Sequence, residues 1–320
     1  MALQVMTGYL PRRIGQTIIV LFGVLIIVFA LTHLLPGGPA RAILGIRATP
    51  AAVTAFSKAH GYDKPIYVQY FSYLNSLIHG DLGFSYTQNQ SVAALLAQDV
   101  PKSAYLSLLA LTVSIIVGLP LGIAQAVHRN RFVDYAITTG AFLGYSIPVF
   151  WLGLLLITWF TVDLSLLPPE APQTATVGGA LADPASMALP VATLAIVSIA
   201  SFSRFMRATA IENLAQDYIR TARAKGLTER TILFRHLLRN ALLPIITLIG
   251  LSTPALVAGN LIVEQVFNYP GVGLLFFNAA LRHDYPVEIA LTLLGSALVV
   301  MGNLVADLAY GIADPRVRLA

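Results

Sequence analysis

The chain has 320 residues, 57% of them hydrophobic and only 11% charged, with a mean hydropathy of +0.75. Soluble domains carry roughly 25% charged residues, so this composition excludes a soluble globular protein. The formal net charge of +5 does not point to nucleic acid, because the basic residues lie in short segments between apolar runs, where they set topology.

No Asp, Glu, Lys or Arg occurs between Arg13 and Arg41, and Ile14–Leu35 is long enough to cross a bilayer, for which about 20 apolar residues suffice. Arg12 and Arg13 before the run and Ala40-Arg41-Ala42 after it imitate a signal peptide. The run exceeds the usual ~7–15-residue apolar core of such a peptide, so it is read as a retained first transmembrane helix. Pro36–Pro101 is mixed polar and aromatic, with Tyr62, Tyr67, Tyr70, Phe71, Tyr73, Phe84 and Tyr86. Tyr67, Tyr70, Phe71 and Leu74 follow helical spacing, which predicts a small extracytoplasmic helical layer whose aromatics pack it or lie at the membrane interface.

Five further runs lack charge: Ser103–His128, Tyr135–Val162, Pro184–Ser203, Asn240–Val263 and Ile289–Ala306. Six transmembrane helices are therefore expected. Pro120, Pro148, Pro190, Pro244 and Pro254 fall in or beside these runs, where kinks are tolerated once neighbours satisfy the freed carbonyls. The outer loop over Pro168–Pro190 is rich in Pro, Gly and Ala and is expected to be irregular. The next outer loop holds Asn268-Tyr269-Pro270-Gly271-Val272-Gly273, a turn sequence, and then Leu274–Leu281, either a re-entrant or interfacial helix or a plain connection.

Between the fourth and fifth runs stands a charged island. From Arg204 to Arg239 it carries eight basic residues (Arg204, Arg207, Arg220, Arg223, Lys225, Arg230, Arg235, Arg239) against Glu212, Asp217 and Glu229. Ile211, Leu214, Tyr218 and Ala222 recur at helical spacing, giving the first half one apolar side. Gly226 after Lys225 ends that helix, and Thr228 caps a second one that begins with Glu229. A helix, a glycine turn and another helix, held at a membrane surface by apolar runs, suit the grip of a soluble partner. With the N-terminus inside, the inner segments hold Arg12, Arg13, Arg129, Arg131, the island, Arg316 and Arg318. The longer outer segments hold only Arg41, Arg47, Lys58, Lys64, Lys102 and Arg282, so both termini and the island are expected in the cytoplasm.

Energy-coupling chemistry is missing. None of Lys58, Lys64, Lys102 and Lys225 follows a glycine, so no Walker A phosphate cradle exists, and there is no H-E-x-x-H and no cysteine. Ser146 lies mid-span without a nearby His, and Asp307 is the carboxylate expected closest to a span centre. A secondary transporter has more intramembrane ionisable groups. The engine is expected on another chain.

In these features the sequence resembles the membrane subunits of ABC-type importers, and more closely the B-type permease subunit of the dipeptide/oligopeptide (peptide/nickel) family. The island is similar to that family's cytoplasmic EAA-type loop, here Arg220-Thr221-Ala222-Arg223-Ala224-Lys225-Gly226-Leu227 and then Arg235 through Pro244. Arg220 stands where a Glu is usual. Leu243-Pro244 comes five residues later than the general spacing, whose position here holds Leu238-Arg239, a variant that peptide-type permeases share. Leu35-Pro36-Gly37, Tyr62-Asp63-Lys64-Pro65, Gly80-Asp81-Leu82-Gly83, Ser146-Ile147-Pro148, Tyr269–Gly273, Arg282-His283-Asp284-Tyr285-Pro286 and Asp314–Arg318 resemble their counterparts along the whole length.

The resemblance implies an all-α integral membrane protein with the type I ABC importer transmembrane fold. Its parts would be a first helix over 1–35, an extracytoplasmic insertion over 36–101, five helices over 102–312 with a coupling loop at about 204–240, and a cytoplasmic tail over 313–320. It further implies a bacterial inner-membrane, non-catalytic subunit importing peptides, with nickel, glutathione or oligosaccharide as alternative cargo in the same family. The implied partners are a paralogous permease, two cytoplasmic ATPase domains that use ATP and Mg, and an extracytoplasmic binding protein. No cofactor or metal is expected on this chain. Coupling is expected at Tyr218, Thr221, Ala222, Arg223, Lys225, Gly226 and Leu227, with Ala222 and Gly226 small so that the ATPase approaches closely, and Arg223 and Lys225 meeting its acidic groups. The competing reading is an ATP-independent channel or proton-coupled carrier, for which Asp307 would supply the charge.

Overall fold

The structure, a computed structural model, describes the backbone over residues 2–34, 38–45, 47–258 and 260–313. Leu35-Pro36-Gly37 and Asp314–Arg318 lie outside the described residues, as does the side chain of Asp307. Helix α1 (Ala2–Leu34) leads into an outer layer of α2 (Gly38–Leu44), α3 (Pro50–His60), α4 (Ile66–Ile78) and a hairpin, β1 (Phe84–Ser85) with β2 (Gln90–Ser91). Then follow α5 (Val92–Val127), α6 (Phe132–Ser146), α7 (Val149–Ile157), a π-helical turn at Thr158–Asp163, α8 (Val177–Ala182) and α9 (Pro184–Leu214). The chain continues with α10 (Asp217–Ala224), α11 (Glu229–Thr231), a second π-helical turn at Ile232–Leu237, and α12 (Leu238–Ala258). It closes with α13 (Leu261–Val266), α14 (Val272–Arg282) and α15 (Tyr285–Ala313).

Local chemistry sets most boundaries. Ser91 caps α5 by accepting from the Ala94 amide at 3.3 Å, so this helix starts well before Ser103 and runs on past Pro101 and Pro120. Asp183 caps α9 by accepting from the Ser186 amide at 3.2 Å, with Pro184 in the first helical position. The loop expected to be irregular therefore turns helical at Val177 and again at Pro184. The expected span Tyr135–Val162 is broken: α6 and the α7 segment meet at 102°. Pro148 disfavours helical backbone at the residue before it, and Ile147 is extended (φ −75°, ψ 128°). The run Asn240–Val263 is also divided, because α12 ends at Ala258 and Val263 belongs to α13.

Among the described residues, Val92–Val127, Pro184–Leu214 and Tyr285–Gly302 are each long and apolar enough to cross a bilayer. Two bent pairs, 132–163 and 229–250, raise this to five if each counts as one span. In α1 the described apolar stretch is Ile18–Ala30.

One helix, α5, touches three separate cores. Its first turns (Val92, Leu95, Leu96) pack with Val272, Leu275, Val287 and Leu291. Leu106 packs with Leu152, Leu156, Met187, Phe267 and Tyr269. Ala126, at its far end, joins Phe202, Met206, Ala210, Ile219, Ala222, Ile232 and Leu237. Between these ends Ser114, Gly118 and Gly122 form a small-residue stripe at a spacing of four, the spacing that lets backbones approach in membranes. A Cβ on Gly122 would lie 2.6 Å from that of Met206, and one on Gly118 would lie 2.9 Å from that of Phe202. α5 and α9 thus meet backbone to backbone.

The outer layer is seated on α1. Tyr70 and Tyr73 meet Phe29 with ring centroids 5.2 and 6.1 Å apart, while Tyr67 and Phe71 remain exposed. Burial pushes the Tyr73 phenol above its usual range, so it stays neutral.

Candidate functional site

α10 ends as its sequence demands. The Leu227 amide donates to the Ala222 carbonyl at 3.3 Å and the Gly226 amide to Arg223 at 2.9 Å, the paired bonds of a left-handed helix stop. Gly226 has φ +74°, and a Cβ there would meet nothing within 4 Å, so glycine is required by conformation, not by crowding. Thr228 then caps α11 by accepting from the Thr231 amide at 3.4 Å.

The two sides of α10 have different jobs. Ile219 is fully buried and Ala222 nearly so, both facing Met206, Ala210, Ile232 and Leu237 of the same chain. Ala222 is thus turned towards the core of its own chain. The three-residue step from Ile219 puts it on the inward stripe, where its size lets α10 lie close on the core. Tyr218 is half-buried beside this core and donates its hydroxyl to Asn213 Oδ1 at 2.7 Å, tying α10 to the end of α9. Thr221, Arg223, Lys225, Gly226 and Leu227 are exposed, as is Arg220. Arg223 is not free to meet a partner's acid alone. Its Nε and Nη2 donate to Glu229 at 2.9 and 3.3 Å, bridging the glycine turn and keeping the guanidinium charged. Exposed pairs of this kind contribute about 0–1 kcal/mol, so this one spans the turn without adding much stability. Phe234, 66% exposed in the π-helical turn, stands out among the apolar side chains of the island's second half. Periodicity did not single it out, because a π turn breaks the 3.6-residue repeat.

A second constellation closes the opposite end. Glu264, fully buried, accepts at Oε1 from Ser103 Oγ (2.8 Å) and the Asn260 amide (3.0 Å), and at Oε2 from the Gly273 (2.7 Å) and Leu274 (3.1 Å) amides. It thereby caps α14, the helix that was one of two readings for this loop. Gly273 is forced, since its Cβ would lie 2.6 Å from the Leu261 Cα. Tyr269 is buried and donates to the Lys102 carbonyl at 2.8 Å, and burial pushes its phenol well above the usual range. Asp284, also buried, accepts from the Ser85 and Thr87 hydroxyls, so the hairpin of the outer layer is tied to the start of α15.

Asp134, only 2% exposed near the start of α6, receives both Nε and Nη2 of Arg207 at 2.7 and 2.8 Å. Arg204 and Arg207, counted with the island, lie inside α9, which extends to Leu214. Arg204 sits 5.8 Å over the Tyr145 ring. Among the described residues no group of three or more His, Asp or Glu is arranged to hold a metal ion.

The chain matches the family described as binding-protein-dependent transport system inner membrane component over residues 118–319, and that family's N-terminal membrane component over 6–108. It is 37% identical over 315 residues to the oligopeptide transport system permease protein AppB of Bacillus subtilis, covering 98% of this chain and 100% of that protein. To the di/tripeptide transport system permease protein DppB of Pseudomonas aeruginosa it is 36% identical, covering 98% and 99%. To the glutathione transport system permease protein GsiC of Escherichia coli K12 it is 38% identical, with the same coverage. Among solved structures, an amino acid ABC transporter and the inward-facing MetNI methionine ABC transporter each superpose with a TM-score of 0.50, at 16% and 18% identity. They cover 69% and 68% of this chain and 93% and 94% of theirs. At that identity the likeness concerns the fold, which is that of type I ABC importers.

Proposed function

Because the chain belongs to the family of binding-protein-dependent transport system inner membrane components, we propose that it is the permease subunit of an ATP-driven importer that carries short peptides into the cytoplasm. Glutathione is itself a tripeptide, so the resemblance to a glutathione permease stays within this class of cargo. The permease is a multi-pass membrane protein. In this reading it lies in the bacterial inner membrane with both termini and the island in the cytoplasm, pairs with a paralogous permease, and receives cargo from an extracytoplasmic binding protein. ATP and Mg are used by two partner ATPase domains.

The observation that carries the reading is the α10–Gly226–α11 elbow. Its inward stripe, Ile219 and Ala222, is part of the permease core, whereas Thr221, Lys225 and Leu227 are exposed, as is Phe234 in the π-helical turn that follows. A partner that closes on ATP pushes the outward side, and the buried stripe passes the displacement to α9 and α12 as a rigid-body shift. Arg223 acts within this scheme by holding the elbow through Glu229.

The test is Gly226→Val in the reconstituted importer. A β-branched residue at φ +74° is strained although space is open, so the helix stop should fail. ATP-dependent peptide uptake is expected to be lost while membrane insertion stays intact. Normal uptake by that variant would remove the elbow from the mechanism.

A further inference from the structure

Asp134 and Arg207 occupy an unusual place. Asp134 opens α6, which continues through the 102° bend into α7, while Arg207 lies on α9 between Met206 and Ala210, both of which form the seat of α10. Their contact is a two-pronged ion pair, and the Asn130 amide donates to the same carboxylate at 3.0 Å. Around it, Gln125 of α5 donates to Thr138 of α6 at 3.0 Å, and Thr138 faces Asp134 Oδ1 at 3.5 Å. Gln125 Oε1 is buried with no hydrogen-bond partner.

Two facts argue against a merely stabilising role. Asp134 is buried while the Arg207 side chain stays 30% exposed, and withdrawing the carboxylate from water costs desolvation that an apolar pair of like volume avoids, so the pair is weak evidence for stability. A buried acceptor left unpaired, as at Gln125 Oε1, adds a further penalty. Geometry supplies the alternative role. The shared core seats α10 on α9, and the Tyr218 hydroxyl fastens the two helices. α9 and α6 are joined here by charge in a fixed fork geometry that tolerates little slip.

We infer that the Asp134–Arg207 pair is the linkage that carries displacement of the coupling elbow from α9 into the broken span α6–α7, and that both are positioning residues for transport. The inference rests on the importer reading above. When α10 is pushed, α9 moves with it, and Arg207 pulls the start of α6. Through the Pro148 bend, a shift along α6 becomes a sideways swing of α7. Without the pair, ATP is still hydrolysed by the partners but the swing follows only weakly, through the direct packing of α9 on α7.

The experiment uses the complete importer in proteoliposomes, with tripeptide as cargo, and reads peptide moved per ATP hydrolysed. Asp134→Asn and Arg207→Ala are expected to lower this ratio by about tenfold with ATP hydrolysis retained. Arg207→Lys, which keeps the charge and loses the fork, is expected to fall between them and the unaltered protein. The exchange Asp134→Arg with Arg207→Asp is expected to recover part of the ratio, which a loss of folding alone cannot give. Unchanged ratios in Asp134→Asn and Arg207→Ala would overturn the linkage. So would single variants that fail to assemble together with an exchanged pair that assembles but stays uncoupled. Absence of ATP-dependent uptake by the unaltered complex would instead overturn the importer reading itself, and the two failures are thus distinct.

Discussion

Glu264 has four hydrogen-bond donors gathered on its two oxygens, from Ser103, Asn260, Gly273 and Leu274. A carboxylate suits this shell because it only accepts, whereas a carboxamide would turn an NH2 group towards donors. Glu264→Gln is therefore expected to strand at least one buried amide, at a cost of about 1–3 kcal/mol. Purified in detergent, the variant should unfold at a temperature lower by about 5 °C. An unchanged unfolding curve would show that the shell tolerates a donor. The turn itself was legible in Tyr-Pro-Gly-Val-Gly, because Pro and Gly act on their own backbone. Its keystone was not, since Ser103 and Glu264 are 161 residues apart and no local periodicity links them. Gly226 falls on the legible side for the same reason: helix stop, glycine and Thr228 cap are all neighbours.

At the scale of helices, contact is decided by which small residues face another backbone. Gly122 and Gly140 look alike in sequence, each within an apolar run. A Cβ at Gly122 would press on Met206 and Ser203, while one at Gly140 would meet nothing within 4 Å. Gly122→Ala is expected to weaken the α5–α9 seam by about 1–3 kcal/mol, and Gly140→Ala to be neutral or slightly stabilising through its helix propensity. Amounts of folded protein recovered from membranes would check the pair. Equal recovery of both variants would mean that α5 and α9 adjust more than this packing allows. The sequence marked Pro148 as a kink, but a proline alone does not state an angle. It also placed Arg207 in a loop, because charge was taken to end a span, when a buried acid on α6 was holding that charge inside the bundle.

For the whole molecule, side of the membrane is the property that most needs a direct check. The chain contains no cysteine, so single cysteines can be placed without background. Lys225→Cys and Lys58→Cys, both at exposed positions, should react with a membrane-impermeant maleimide from opposite faces of the cell membrane, Lys58→Cys from outside in intact cells and Lys225→Cys only after lysis. Labelling of both from one side would overturn the topology drawn from basic-residue bias.

The length of α5 has its own effect. Its 36 residues make a rod of ~54 Å, against a hydrocarbon layer of about 30 Å. It stands on the coupling core at Ala126 and rises into the outer layer at Val92. It lies closest to α9 at Gly118 and Gly122, where the two backbones touch. If the chain works as the importer permease proposed above, a tilt at the foot of this rod would be felt at its head, so one helix would join the side that meets the nucleotide engine to the side that receives cargo.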